Sequence, residues 1–294
     1  MMMPALGLSK IQMGEVFSSF LIGYALFQSP AGAIGDIIGP RLTLGIAFLL
    51  WGLTTIATGL VPHPLLAGVN VTLVSLIVVR ALLGAGEAAT FPVATAVVHR
   101  WMPPAEHAFG NSLLFMGSSL GAAVATPLVS WLMVKTGWRG SFYCTAILAL
   151  LIAPVWLWYL SDFQAGNQTA QQINPARPRF FRSADIKQTL SHMADKNILF
   201  LILSYFSEGY VLFIFVFWLY IYLVEKRGFT VLSGGMISAL PWLTACAMAP
   251  LGGILSDRIS TRIGRIAASR FVIAIGYVFS GLLLLLAAYS PYRS

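Results

Sequence analysis

Long apolar runs, each near the length of a membrane crossing, alternate along this chain with short charged segments. Eight runs fall near Met13 to Gly35, Thr43 to Val61, Val69 to Val98, Ala108 to Val134, Ser141 to Leu160, Ile198 to Val224, Val231 to Leu255 and Phe271 to Tyr289. A helix needs about 20 apolar residues to cross a hydrocarbon core about 30 Å thick. The pattern therefore predicts an all-α, polytopic membrane protein with about eight transmembrane helices. Glycine recurs inside the runs, as expected where helices pack closely in lipid and every backbone group is satisfied internally. The one long polar stretch, Ser161 to Asn197, is rich in Gln, Asn, Pro and Arg and reads as a linker with one short surface helix.

Composition agrees. Charged residues are 10% of the chain, against about 25% in a soluble domain, and apolar residues are 58%. The mean hydropathy is +0.81. A net charge of +8 gathered on a soluble face would suggest nucleic acid. Here the Lys and Arg lie between apolar runs, the distribution of membrane-flanking charge, so the expected partner is the lipid bilayer and no nucleic acid. If the segment after the first helix faces the cytoplasm, eleven basic residues lie on that side, among them Arg41, Arg100, Arg262 and Arg270. Six lie opposite, among them Lys10, Arg139 and Arg227. The positive-inside bias thus places the linker in the cytoplasm of a cell (inner or plasma) membrane. Cys144 and Cys246 stand inside apolar runs without metal-ligand spacing, and no His cluster, Ser-His pair or paired acids lies within a span. Neither an enzyme nor a bound cofactor or metal is expected.

The chain echoes itself. After the first run it reads Pro30-Ala31-Gly32, then Asp36, Gly39 and Arg41; after the seventh it reads Pro250-Leu251-Gly252-Gly253, then Asp257-Arg258 and Gly264-Arg265. A period of six helices is that of a transporter whose halves are related by an axis along the membrane normal. On this period residues 1–161 form a first half lacking its first helix, 162–196 the linker, and 197–294 the first three helices of a second half. The expectation is a chain holding helices two to nine of twelve, with packing surfaces around Gly23, Gly84, Gly117 and Gly121 facing lipid or an open groove. Such a chain is expected not to transport alone, so a non-transporting membrane protein or gene fragment derived from a carrier is the alternative reading.

The Gly32 to Arg41 and Gly253 to Arg265 segments resemble the loop signature of the major facilitator superfamily. Ile37 departs from the basic residue that signature places after its Asp, and the second copy has four extra residues between Asp257 and Gly264. Phe20 to Gly32, Arg80-Ala-Leu-Leu-Gly-Ala-Gly-Glu87 through Pro92, Trp101-Met-Pro103 and Gly137-Trp138-Arg139 are similar to the anion:cation symporter branch, which carries sugar acids and related carboxylates. The resemblance implies secondary active transport of a small organic anion with a proton, or sodium, as the coupling ion.

Arg80 and Glu87 stand in the third run, far from either water interface. Seven residues apart, they share a helix face about 10 Å apart along the axis. Each costs several kcal/mol to insert, about 2.5 to 3.5 for the arginine, and needs an offset. Two readings stay open: an internal ion pair that fixes packing, or Arg80 binding a substrate carboxylate through its fork of donors while Glu87 exchanges the coupling proton. The resemblance favours the second. Tyr24 and Gln28, one turn apart, and Asn111 are further substrate-binding candidates, equally readable as polar groups satisfied by neighbouring helices. Asp36, Arg41, Asp257 and Arg258 are implied to form cytoplasmic gates, and ordinary helix capping would account for much of the same energetics. Glu208, inside an apolar run, is either a second protonatable site or nearer the interface than its run suggests.

Overall fold

The computed structural model describes residues 2–103, 107–159 and 195–289, all helical or short connections. The elements are α1 (Met2–Ala5), α2 (Lys10–Ile38), α3 (Pro40–Leu60), α4 (Pro64–Ala67), α5 (Val69–Glu87), α6 (Thr90–Trp101), α7 (His107–Tyr159), α8 (Lys196–Lys226), α9 (Val231–Ser238), α10 (Leu240–Ile263) and α11 (Arg265–Tyr289). The expected linker and its side of the membrane lie outside the described residues. Among the described residues, seven helical segments are long and apolar enough to cross a membrane. The count differs from eight because α7 runs on for 53 residues through Gly137. At 1.5 Å per residue that is about 80 Å, far beyond one hydrocarbon core. Gly137 breaks it with φ 74° and ψ 175°, a conformation essentially reserved for glycine. The two arms, 107–136 and 138–159, are the two spans expected separately.

Two expected single helices are interrupted. The run from Val69 continues to Trp101, but its hydrogen-bond ladder breaks at Ala88 and Ala89 between α5 and α6. Pro92 lacks the N–H that would reach the Ala88 carbonyl, which is sufficient cause. Pro241 does the same for the Ile237 carbonyl where α9 gives way to α10. At the other end, α2 starts earlier than its apolar run because Ser9 and Gln12 form a capping box, with reciprocal bonds of 2.9 and 3.2 Å.

The described residues divide into two compact units, one of residues 2–103, 129–159 and 195–220, the other of 107–128 and 221–289. In the first, α3 and the second arm of α7 run antiparallel along a seam. A β-carbon at Gly45, Gly52 or Gly59 would come within 2.5 to 2.6 Å of Leu157, Leu150 or Tyr143 respectively. Both series repeat every seven residues, so each large side chain fills a gap left by a missing one. Arginines close both ends of the seam. Arg41 donates to the Leu157 carbonyl through Nε (2.8 Å) and through its NH2 group, and Arg139 donates to the Val61 carbonyl at 2.9 Å. Each satisfies a carbonyl left over at the end of the opposite helix.

The N-terminal residues plug one end of this unit. Leu6, Val16 and Leu76 are fully buried together with Met13 and Val61, against Trp138 and Phe142. Most buried hydroxyls bond back to a carbonyl three or four residues earlier, as Ser19 does to Val16 and Thr58 to Thr54. In the second unit α10 packs on α11. Most large apolar side chains of α11 are exposed, including Val278, Leu282 and Leu285, as a lipid-facing surface requires.

The repeated loop adopts one backbone form twice. Gly39 ends α2 with φ 85° and ψ 157°, its N–H on the Gly35 carbonyl, and Gly264 ends α10 with φ 85° and ψ 155°, its N–H on Ser260. The four extra residues of the second copy amount to one helical turn. They extend α10 without changing how it ends.

Candidate functional site

The site is built on the crossing of α2 and α5, the most intimate helix pair in the first unit. A β-carbon on Gly84 would lie 2.1 Å from the Phe20 carbonyl oxygen, and one on Gly23 would lie 2.2 Å from that of Ala81. Backbone thus rests on backbone, as small residues permit in membranes. This corrects the expectation for Gly23 and Gly84, which are packed instead of facing lipid or a groove. Gly117 and Gly121 have nothing within 4 Å of where a side chain would begin.

The close crossing brings Tyr24 of α2 beside the α5 segment that carries both charges. Glu87 acts electrostatically on both Arg80 and Tyr24. Among the described residues Arg80 and Glu87 form no direct ion pair. Arg80 instead places its guanidinium carbon 5.5 Å from the ring centroid of Phe142, and its Nε is buried with no hydrogen-bond partner. Glu87 is the last residue of α5, immediately before the break at Ala88 and Ala89. Tyr24 stacks on Phe20 at 6.2 Å, and Gln28 is half-buried one turn along α2.

Among the described residues, two further buried polar atoms have no hydrogen-bond partner: Asn111 Oδ1 in the second unit and Thr95 Oγ1 on α6. Thr95 was not among the expected residues. Its failure to bond back along the helix is a tertiary fact with no sequence signature. Phe142 was also missed, because nothing in the sequence pairs an aromatic of one run with an arginine of another. Glu208 stands exposed near the middle of α8, about 18 Å from its start.

At the loop end, Asp36 pairs with Arg100 at 3.4 Å, joining the end of α2 to that of α6. A cleft of about 130 Å³ adjoins them, lined by Gly32, Gly35, Pro40, Pro92, Val93 and Ala96. The partner that the sequence offered for this gate, Arg41, turns away onto Leu157 as described. Arg100 carried a readable signal, a basic residue in the last turn of a helix on the same predicted side. Asp257 and Arg258 lie in the last two turns of α10, and the Arg258 side chain is exposed.

Residues 1–292 match the family profile of the Major Facilitator Superfamily. The chain is 30% identical over 282 residues to a hexuronate transporter of Bacillus subtilis, covering 95% of this chain and 64% of the relative. It is 31% identical over 272 residues to a probable sulfoacetate transporter of Cupriavidus necator, covering 90% and 60%. It is 25% identical over 283 residues to a probable galactarate/D-glucarate transporter of Escherichia coli, covering 90% and 62%. The chain thus spans about three fifths of the length of these curated relatives. It is a multi-pass membrane protein, and the family match over nearly its whole length, on a helical fold with a repeated glycine-ended loop, means that it belongs to the Major Facilitator Superfamily.

Proposed function

We propose that this chain belongs to a secondary active transporter that moves a small organic anion, a sugar acid or related carboxylate, by proton-coupled symport across the cell membrane. Arg80 binds the carboxylate and Glu87 exchanges the coupling proton, while Tyr24 and Gln28 supply further polar contacts; Asn111 is a separate substrate-binding candidate. The reading keeps residues 1–161 and 197–294 as parts of two halves joined by a cytoplasmic linker. Asp36 with Arg100, and Asp257 with Arg258, would latch the cytoplasmic ends.

The observation that carries this reading is Arg80. A guanidinium deep in a membrane costs about 2.5 to 3.5 kcal/mol on insertion scales, and a cation–π contact returns about 0.5 to 2 kcal/mol. Phe142 offsets part of the cost without using the N–H donors, and Glu87 is not paired to them. A bound carboxylate would supply the rest through bidentate, charge-assisted hydrogen bonds. Proton exchange at Glu87, within electrostatic reach of Arg80, would then be felt by the bound anion.

The test is titration of the purified chain with glucuronate, galactarate and sulfoacetate in a calorimeter. An ammonium cannot reproduce a planar fork, and a hydrogen bond to a charged group is worth about 1.5 to 3 kcal/mol. Arg80→Lys should therefore weaken binding by about 10-fold or more while leaving the melting temperature in place. Equal affinities for wild type and variant would remove Arg80 from the site.

A further inference from the structure

Eight arginines have described side chains. Five are engaged within the protein: Arg41 and Arg139 on carbonyls, Arg80 over Phe142, Arg100 with Asp36, and Arg227 with the Tyr222 hydroxyl. The other three, Arg258, Arg262 and Arg270, flank Gly264, and their side chains are exposed. Among the described residues none of the three has an acidic or aromatic partner. From residue 258 to 289 the chain contains no Asp or Glu, and Arg265 adds a fourth positive charge.

Helix electrostatics does not explain the group. A dipole favours cations in the last turn, which suits Arg262, but Arg270 lies beyond the first turn of α11, at the end where the dipole gives cations no benefit. Arg258 and Arg270 each stand six residues from Gly264, so the basic band is about 9 Å deep. That is close to the headgroup layer of a bilayer about 40 to 45 Å thick over a 30 Å core. Beside the band lies a shallow, largely open groove lined by Ile263, Gly264, Ile266, Ala267, Arg270 and Phe271. Its lining is mostly apolar, with Arg270 as its one charged residue. Below Phe271 the same face of α11 continues as exposed Ile275, Val278, Leu282 and Leu285.

We propose that the turn between α10 and α11 is a binding site for an anionic phospholipid, its phosphate held by Arg262 and Arg270 and its acyl chains lying along the Phe271 to Leu285 face. A soluble anion would meet the charge but have no use for the groove. A packed protein segment would fill the groove but gain nothing from a band of like charge. An amphiphile with a negative head satisfies both.

Native mass spectrometry of the purified chain, titrated with phosphatidylglycerol, with phosphatidylcholine of the same acyl chains, and with inorganic phosphate, tests this. Phosphatidylglycerol should bind in clear preference to phosphatidylcholine, and phosphate should not displace it. Arg262→Gln and Arg270→Gln should each lower the preference about fivefold, the effect of one basic side chain near an anionic surface. Replacing both by Lys should retain it, and Lys226→Gln at another helix end should leave it unchanged. Should the double Gln variant not fold, Arg270→Gln alone gives the same reading. Equal binding of the two lipids, displacement by phosphate, or a preference that survives loss of both arginines would overturn the proposal.

Discussion

Replacing Gly84 by Ala tests whether the backbone contact between α2 and α5 holds the site together. The new β-carbon would lie 2.1 Å from the Phe20 carbonyl oxygen and 2.9 Å from the Tyr24 nitrogen. A carbon normally comes no nearer than about 3.3 Å to a carbonyl oxygen, so the helices must part by roughly 1.2 Å. Both obstructing atoms are backbone, and no rotamer change relieves them. Overpacking of this kind costs about 1 to 3 kcal/mol, and the rigidity of the contact puts Gly84→Ala near the top of that range. At about 2 to 4 °C per kcal/mol for a chain of this size, the melting temperature in detergent should fall by several degrees. Gly117→Ala is the control. It meets open space and should hold or raise stability, because alanine is the better helix former by about 1 kcal/mol. Gly23→Ala strains the same crossing, so the double variant should lose less than the sum of the singles. The same displacement moves Tyr24 relative to Glu87, so anion affinity should fall with stability. A melting temperature for Gly84→Ala equal to that of wild type would refute the close contact.

Two further outcomes follow from the same geometry. Binding of a carboxylate to the wild-type chain should be linked to proton exchange, measured as a dependence of binding heat on buffer ionisation enthalpy; Glu87→Gln should abolish that dependence, and its persistence would place the proton elsewhere. Arg41→Gln leaves the partly buried Leu157 carbonyl without its donor, which costs at most about 3 kcal/mol, the upper figure for a fully buried acceptor. A stability loss without any change in anion affinity is expected, because Arg41 closes the seam between α3 and α7; a loss of affinity at unchanged stability would return Arg41 to the gate.

The membrane-crossing helical segments, the glycine-ended loop and its second copy, and the placing of Arg80 and Glu87 on one helix could all be read from the sequence. Each depends on local pattern: hydrophobic length against bilayer thickness, glycine where φ must be positive, and a seven-residue spacing on a helix of 3.6 residues per turn. Pattern fails where distant segments meet. The Gly45, Gly52 and Gly59 series is visible in the sequence, but its partners Leu157, Leu150 and Tyr143 lie about a hundred residues further along the chain. Asp36 could have met Arg41, five residues on, and meets Arg100 because Gly39 turns α3 away while α6 packs beside the end of α2. The buried atoms without partners, Arg80 Nε and Thr95 Oγ1, are likewise tertiary facts. Burial in a helical membrane protein is decided by which faces pack together. Sequence periodicity defines the faces, whereas close backbone contacts such as Gly23 on Ala81 choose among them.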